Sequence, residues 1–383
     1  MKLMIWSRGP VALVVAVAML CQGVANGSSP EKSGEEKEKA WFEGSVLTRY
    51  TLDSLLESNV GRDGDGKKKS LPEIYMDGSF QLGGGFLIHT NMGLRPLMER
   101  ENSGSEGYLP RKHYFFGRLG LVAEEIDLEY REERLLFGVG KFNPSFSCAL
   151  KNSYYGIGGT NIVDNYQPLE KLGFYVTMIL PMLRARVNFF RNDVTFLSHS
   201  LFTDRRGYDL KGDMGNVQDI FENFSLTAEF PTSDNYRVNL GFRKLATTDP
   251  KRKSEFGYLF GLGCTIEETR DSIGAAPLLE VVLLHNRGGE LKADSLYAVV
   301  NLPFFYDNWN FGFSWSARKE LSSWDGDSQM IIQSSISYLF RNGLAVDFSR
   351  KYEDENYRDS EGKNRINKFS SWGARLSYTL KFD

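Results

Sequence analysis

The sequence predicts an all-β chain, a transmembrane antiparallel β-barrel of about sixteen strands with a loop folded into its lumen. Three observations predict it. Apolar and polar residues alternate with a period of two in run after run from residue 42 onwards. The links between runs are alternately short and long, and the long ones carry the charge. Aromatic residues make up 13% of the 383 residues and glycines number 38, a mixture suited to strands and tight turns.

The chain begins with the chemistry of export. Lys2 and Arg8 precede an apolar run, Val11–Cys21, and the small residues Gly23-Val24-Ala25 follow. Residues 1–25 therefore read as a signal peptide cut after Ala25. The apolar run is too short for a membrane anchor. Residues 26–40 are charged and poor in apolar side chains, which predicts a flexible periplasmic tail. No Pro/Ser-rich linker interrupts residues 41–383, so they are read as one barrel domain. The mean hydropathy of −0.35 excludes a bundle of membrane helices. A formal charge of −3, with no basic stripe, argues against a nucleic-acid partner. Once the signal is removed only Cys148 and Cys264 remain, so sheet closure must hold the chain together in place of disulfides.

The runs follow in order. Phe42–Tyr50, Ile74–Phe80 and Phe86–Met92 alternate cleanly. Tyr114–Tyr130 changes phase: Leu119, Leu121 and Ala123 are odd, whereas Ile126, Leu128 and Tyr130 are even. A β-bulge at Glu124-Glu125 accounts for the slip. Leu135–Phe142, Phe174–Leu180, Leu183–Phe189, Phe224–Phe230 and Tyr236–Phe242 continue the pattern. In Phe256–Ile266, Leu279–Leu283 and Leu296–Leu302 the polar face is weak. Trp309–Trp315, Met330–Tyr338, Leu344–Phe348 and Trp372–Phe382 complete the set. Phe and Tyr gather at run ends, as in the girdles at membrane interfaces. The short links are expected on the periplasmic side together with both chain ends, and the long ones outside. The link Glu267–Ala276 is long for its side.

The final run, with Tyr378, Leu380 and Phe382 followed by Asp383, resembles the C-terminal assembly signal of Gram-negative outer-membrane proteins. The stretch GKFNPSF (Gly140–Phe146), then YYGIGGT (Tyr154–Thr160) and DNYQPLEKLG (Asp164–Gly173), resembles the end of the fifth strand and the third loop of Gram-negative porins. The resemblance implies an outer-membrane location, a pore narrowed by the third loop, contact with lipid and the barrel assembly machinery, and often a homotrimer. It does not fix the solute.

The expected function is therefore a channel for passive diffusion of small hydrophilic solutes and ions. A surface adhesin or receptor acting through its external loops is the alternative. In the register above, Arg118, Arg184, Arg186, Arg237, Arg243, Arg318 and Arg375 line the lumen on the basic side. Glu124, Glu125, Asp127 and Glu129 line another wall. Opposed charges of this kind set a field across a pore, or simply pair. Tyr154, Tyr155, Gly156, Ile157, Gly158 and Gly159 are expected to form the constriction, because an apolar patch of this kind is costly in water. Catalysis finds little support. No G-x-S-x-G surrounds a serine, and none of His89, His113, His199 and His285 is at metal-ligand spacing from another. The expectation is no enzyme, no cofactor and no metal.

Overall fold

Alternation this regular leaves each run with one apolar and one polar face, and a closed sheet is the arrangement that separates the two faces completely. The computed structural model describes residues 42–58, 68–96, 119–149, 162–198, 214–231, 235–267, 273–321, 327–358 and 363–382. The signal peptide, the charged tail, Arg118, His113, His199 and Tyr154–Gly159 lie outside the described residues.

Among the described residues, sixteen long antiparallel strands form the wall. They are β1 (Phe42–Ser58), β2 (Lys68–Gly83), β3 (Phe86–Pro96), β4 (Leu119–Arg131), β5 (Leu135–Phe142), β6 (Lys171–Leu180), β7 (Leu183–Asn192), β8 (Phe224–Pro231), β9 (Tyr236–Leu245) and β10 (Glu255–Cys264). After a two-residue strand, β11 (Gly274–Ala275), come β12 (Leu278–His285), β13 (Ser295–Tyr306), β14 (Trp309–Glu320), β15 (Ser328–Leu339), β16 (Leu344–Arg358) and β17 (Asn364–Phe382). Each long strand pairs with its sequence neighbours, β10 pairs directly with β12, and β1 pairs with β17 to close the barrel. The link that looked too long for its side is explained by β11. It extends the hairpin by pairing with Phe304 and Phe305 of β13, and Ile266 bridges to Ala275.

The apolar face is outside. Phe137, Val139, Leu240, Tyr258, Phe260, Leu262, Phe311, Phe313, Trp372, Leu376 and Leu380 are all exposed on the outer surface of the chain. That settles the facing which periodicity alone leaves open. At the loop end, rings follow one another around the outside. Phe174 and Phe189 lie 5.3 Å apart, Phe224 and Phe242 5.6 Å, and Phe242 and Tyr258 5.3 Å. At the turn end Phe86 meets Tyr130 and Trp309 meets Tyr338, each at 4.8 Å. The expected bulge is present. The β3–β4 register shifts between Asn91, opposite Glu125, and Met92, opposite Ala123, and Glu124 is the extra residue.

Candidate functional site: a loop anchored to the inner wall

Between β5 and β6 the chain turns into the barrel. Its two described legs, Asn143–Ala149 and Ile162–Glu170, cross the inner wall in strand order. The Ser225 hydroxyl on β8 donates to the Ser145 carbonyl (2.9 Å), and the Ser145 and Thr227 hydroxyls are 3.1 Å apart. Phe146 packs against Gly241 of β9 and Gly257 of β10, and Cys148 against Gly261. Phe146, Ala149, Ile162, Val163 and Tyr166 form one buried cluster with Leu259, Leu278, Val282, Leu284, Tyr297 and Val299. This explains the weak polar faces of β10, β12 and β13. Their inner faces meet the loop, not water.

A single carboxylate fastens both legs. Glu280 on β12 is 0% exposed. Its Oε1 accepts from the Ser147 hydroxyl (2.7 Å) and the Tyr166 hydroxyl (2.6 Å). Its Oε2 accepts from the Cys148 amide (2.7 Å), the Ala149 amide (3.0 Å) and the Cys148 thiol (2.7 Å). Burial and the neighbouring Glu280 charge push the Cys148 thiol well above the usual thiol range. Gln167 ties the legs together, accepting from the Ser147 amide at 2.7 Å and donating to the Pro144 carbonyl. Arg243 on β9 donates to the Tyr166 carbonyl and pairs with Glu255 of β10. At the base, Asn143 accepts from the Glu170 amide (2.7 Å). There Lys141 is enclosed by Glu170 (3.4 Å), Asp193 (3.1 Å) and the Leu197 carbonyl (2.8 Å).

The rest of the inner wall is polar. Arg375 on β17 pairs with Asp347 of β16 at 2.8 Å, and Lys351 with Glu353 at 2.8 Å. Arg49 on β1 lies over the Tyr75 ring of β2 at 5.2 Å. Arg318 is buried beside Tyr297 on the paired strand. Arg186 lies over the Tyr175 ring at 3.6 Å and reaches towards the acidic wall. Arg184 shares the face of Arg186 and is exposed. Arg237 lies against Gly263 of β10.

On β4, Glu124 pairs with Arg95 (3.1 Å) and Glu129 with Arg131 (2.6 Å). Asp127 accepts from the Tyr175 hydroxyl at 2.7 Å, and that hydroxyl also contacts Glu129. Glu125, Asp127 and Glu129 share one face by alternation, and the bulge puts Glu124 on that side as well. The structure thus gathers the four acids. It divides the arginines between wall-paired ones, Arg243 and Arg375, and one facing the acids, Arg186. Sequence reading passed over Glu280, Lys141 and Glu255. The signal for Glu280 was there: one carboxylate inside LLEVVLLH, on the inward parity.

Asp164 on the second leg remains open to solvent but is crowded by protein. Exclusion of water pushes its carboxyl up to about 6, and the Arg95 guanidinium pulls the other way. The group therefore gains a negative charge as pH rises through about 6. Cation preference in a salt gradient is expected to rise with pH across that interval, and Asp164→Asn is expected to remove that step. Reversal potentials measured at pH values either side of 6 check it.

No protein-family model matches the sequence, and no curated protein matches it. Solved structures do match the fold. OprB of Pseudomonas putida superposes with a TM-score of 0.60 at 12% identity, covering 88% of this chain and 94% of that one. The outer membrane channel DcaP of Acinetobacter baumannii gives 0.54 at 11% identity, covering 88% and 96%. OmpT of Vibrio cholerae, in a trimer form, gives 0.52 at 9% identity, covering 88% and 99%. Several matches are to OmpT, described as an outer membrane protein and not as a channel. The matched barrels do not share one described activity, and a fold does not fix the chemistry it hosts. The sequence-based expectation that the chain is not an enzyme is therefore withdrawn. What the matches establish is architecture: the chain is a sixteen-strand antiparallel β-barrel with the fold of the outer-membrane, porin-like barrels.

Proposed function

We propose that the chain is an outer-membrane channel through which small hydrophilic solutes and ions diffuse passively. One observation carries the reading. A loop is fastened along the inner faces of β8–β13, while the inner faces of β14–β17 and β1–β4 hold charged and polar side chains. Charged side chains opposite a constricting loop are how barrel pores select among solutes. The apolar outer face suits outer-membrane lipid. The last strand, with Tyr378, Leu380 and Phe382, suits recognition by the barrel assembly machinery after removal of the signal peptide. The trimer form of OmpT supports a homotrimer here as well.

The purified, folded protein added to a planar bilayer is expected to produce discrete conductance steps. A folded barrel that inserts and conducts nothing would end the channel reading. Replacing Arg184 and Arg186 together by serine is expected to shift reversal potentials in a salt gradient towards cations, since positive charge is then lost beside the acidic wall. An unchanged reversal potential would show that these arginines do not face the conducting path.

A further inference from the structure

We propose that His89, Glu125 and Asp127 form a binding site for a divalent transition-metal cation of the zinc type on the inner wall of β3 and β4. The three side chains meet through strand register. His89 lies opposite Asp127, and Glu125, opposite Asn91 and two residues from Asp127, shares that face by strand alternation. One donor atom from each, the His89 imidazole nitrogen and two carboxylate oxygens, lie within 4.8 Å of one another. His89 Nδ1 is 3.4 Å from Asp127 Oδ1 and 3.9 Å from Glu125 Oε2. A tetrahedral zinc site with bonds of about 2.0–2.2 Å separates its ligand atoms by roughly 3.3–3.6 Å. Small side-chain movements would close the set around an ion, leaving one position for water or solute.

The surroundings favour ligation over a chance meeting of charges. Each donor's other atom is already engaged. His89 Nε2 is 3.5 Å from Asp77 Oδ1, which would hold the ring with Nδ1 free to bind. The Tyr175 hydroxyl donates to Asp127 Oδ2 at 2.7 Å, leaving Oδ1 towards His89. The Asn143 amide donates to Glu125 Oε1, leaving Oε2 towards His89. Asp127 is only 3% exposed, so an ion there exchanges part of its water for fixed ligands. Two residues along the same face from His89, opposite Glu125, the buried amide oxygen of Asn91 has no hydrogen-bond partner and can serve as a further oxygen donor. Of the guanidiniums on this side, Arg186 lies over the Tyr175 ring and faces the acids, and Arg95 pairs with Glu124. One imidazole and two carboxylates suit zinc and its neighbours better than magnesium or calcium, which take oxygen ligands. Metal binding here is independent of whether the barrel conducts.

The test is a zinc titration of the purified, folded full-length barrel in competition with a chromophoric chelator. Heat-modifiable gel migration confirms the folded state of every variant. One zinc ion per chain is expected, undisplaced by a hundredfold excess of calcium. His89→Ala and Asp127→Asn are expected to weaken binding at least tenfold. Asp77→Asn, which loosens the ring without removing a ligand, is expected to weaken it about 10–100-fold. Glu290→Gln, in a distant loop, is expected to change nothing. Should His89→Ala fail to fold, His89→Gln is read in its place. No zinc uptake by the folded wild-type barrel at millimolar metal would overturn the site. So would uptake of undiminished affinity in the His89 variant, or displacement by calcium.

Discussion

Replacing Glu280 by alanine is expected to release the inner loop while leaving the barrel standing. The carboxylate accepts five hydrogen bonds, from the hydroxyls of Ser147 and Tyr166, the amides of Cys148 and Ala149, and the Cys148 thiol. Each buried donor left without a partner costs about 1–3 kcal/mol. Their combined loss rivals what the packing of Phe146, Ile162 and Val163 supplies, at roughly 1.5–3 kcal/mol for a fully buried side chain of that size. The wall keeps its strand ladders, because Glu280 takes part in them through its backbone opposite Val299 and Gly261. Conductance steps should therefore grow and become noisier, with heat-modifiable migration retained. Glu280→Gln should fall between, since its amide group faces donors where an oxygen stood. Wild-type conductance in Glu280→Ala would mean that the loop does not depend on this anchor.

Replacing Gly261 by leucine attacks the same contact from the wall. A Cβ at Gly261 would stand 2.7 Å from the Cys148 sulfur and 3.3 Å from Asn239 Cβ. At Gly257 it would meet Arg243 Cγ at 2.8 Å and Phe146 Cζ at 3.0 Å. These glycines share the inward parity of β10 and make the groove in which the loop lies. Overpacking typically costs about 1–3 kcal/mol, and here the loop is freer to move than the strand. The expected result is displacement of Cys148 from Glu280. In a Cys264→Ser background, the wild-type Cys148 thiol should react slowly with a maleimide, being enclosed and held as a donor to Glu280. Gly261→Leu should react much faster. Equal rates would place the loop away from β10.

Much of the wall was legible along the chain. Strand alternation told which residues share a face, and the phase slip at Glu124-Glu125 located the bulge that puts Glu124 on the same side as Glu125, Asp127 and Glu129. The aromatic run ends anticipated the two outer ring belts. The loop after Phe142 could be expected inside because its apolar residues needed shelter. Other features stayed hidden for a physical reason. Glu280 looked like a lone charge in an apolar strand, because its partners lie more than a hundred residues earlier. Arg243 and Arg375 looked like members of an open ring of charge, whereas Glu255 and Asp347 on adjoining strands neutralise them locally. His89 lacked a second histidine at ligand spacing, and its carboxylate neighbours come from the next strand.

By itself, then, the sequence determined the periodic part of this protein: about sixteen strands, which side chains of each share a face, and the bulge. Those depend on the geometry of a pleated strand, which puts successive side chains on opposite faces whatever lies elsewhere in the chain. Only the tertiary structure decided which inward side chains meet. The path of the loop across β8–β13 brings together Glu280 with Tyr166 and Gly261 with Cys148, and the register of β3 on β4 brings together His89 with Asp127. Such contacts are set by long-range register and by the space left at glycines. No local pattern of apolar and polar residues encodes either one.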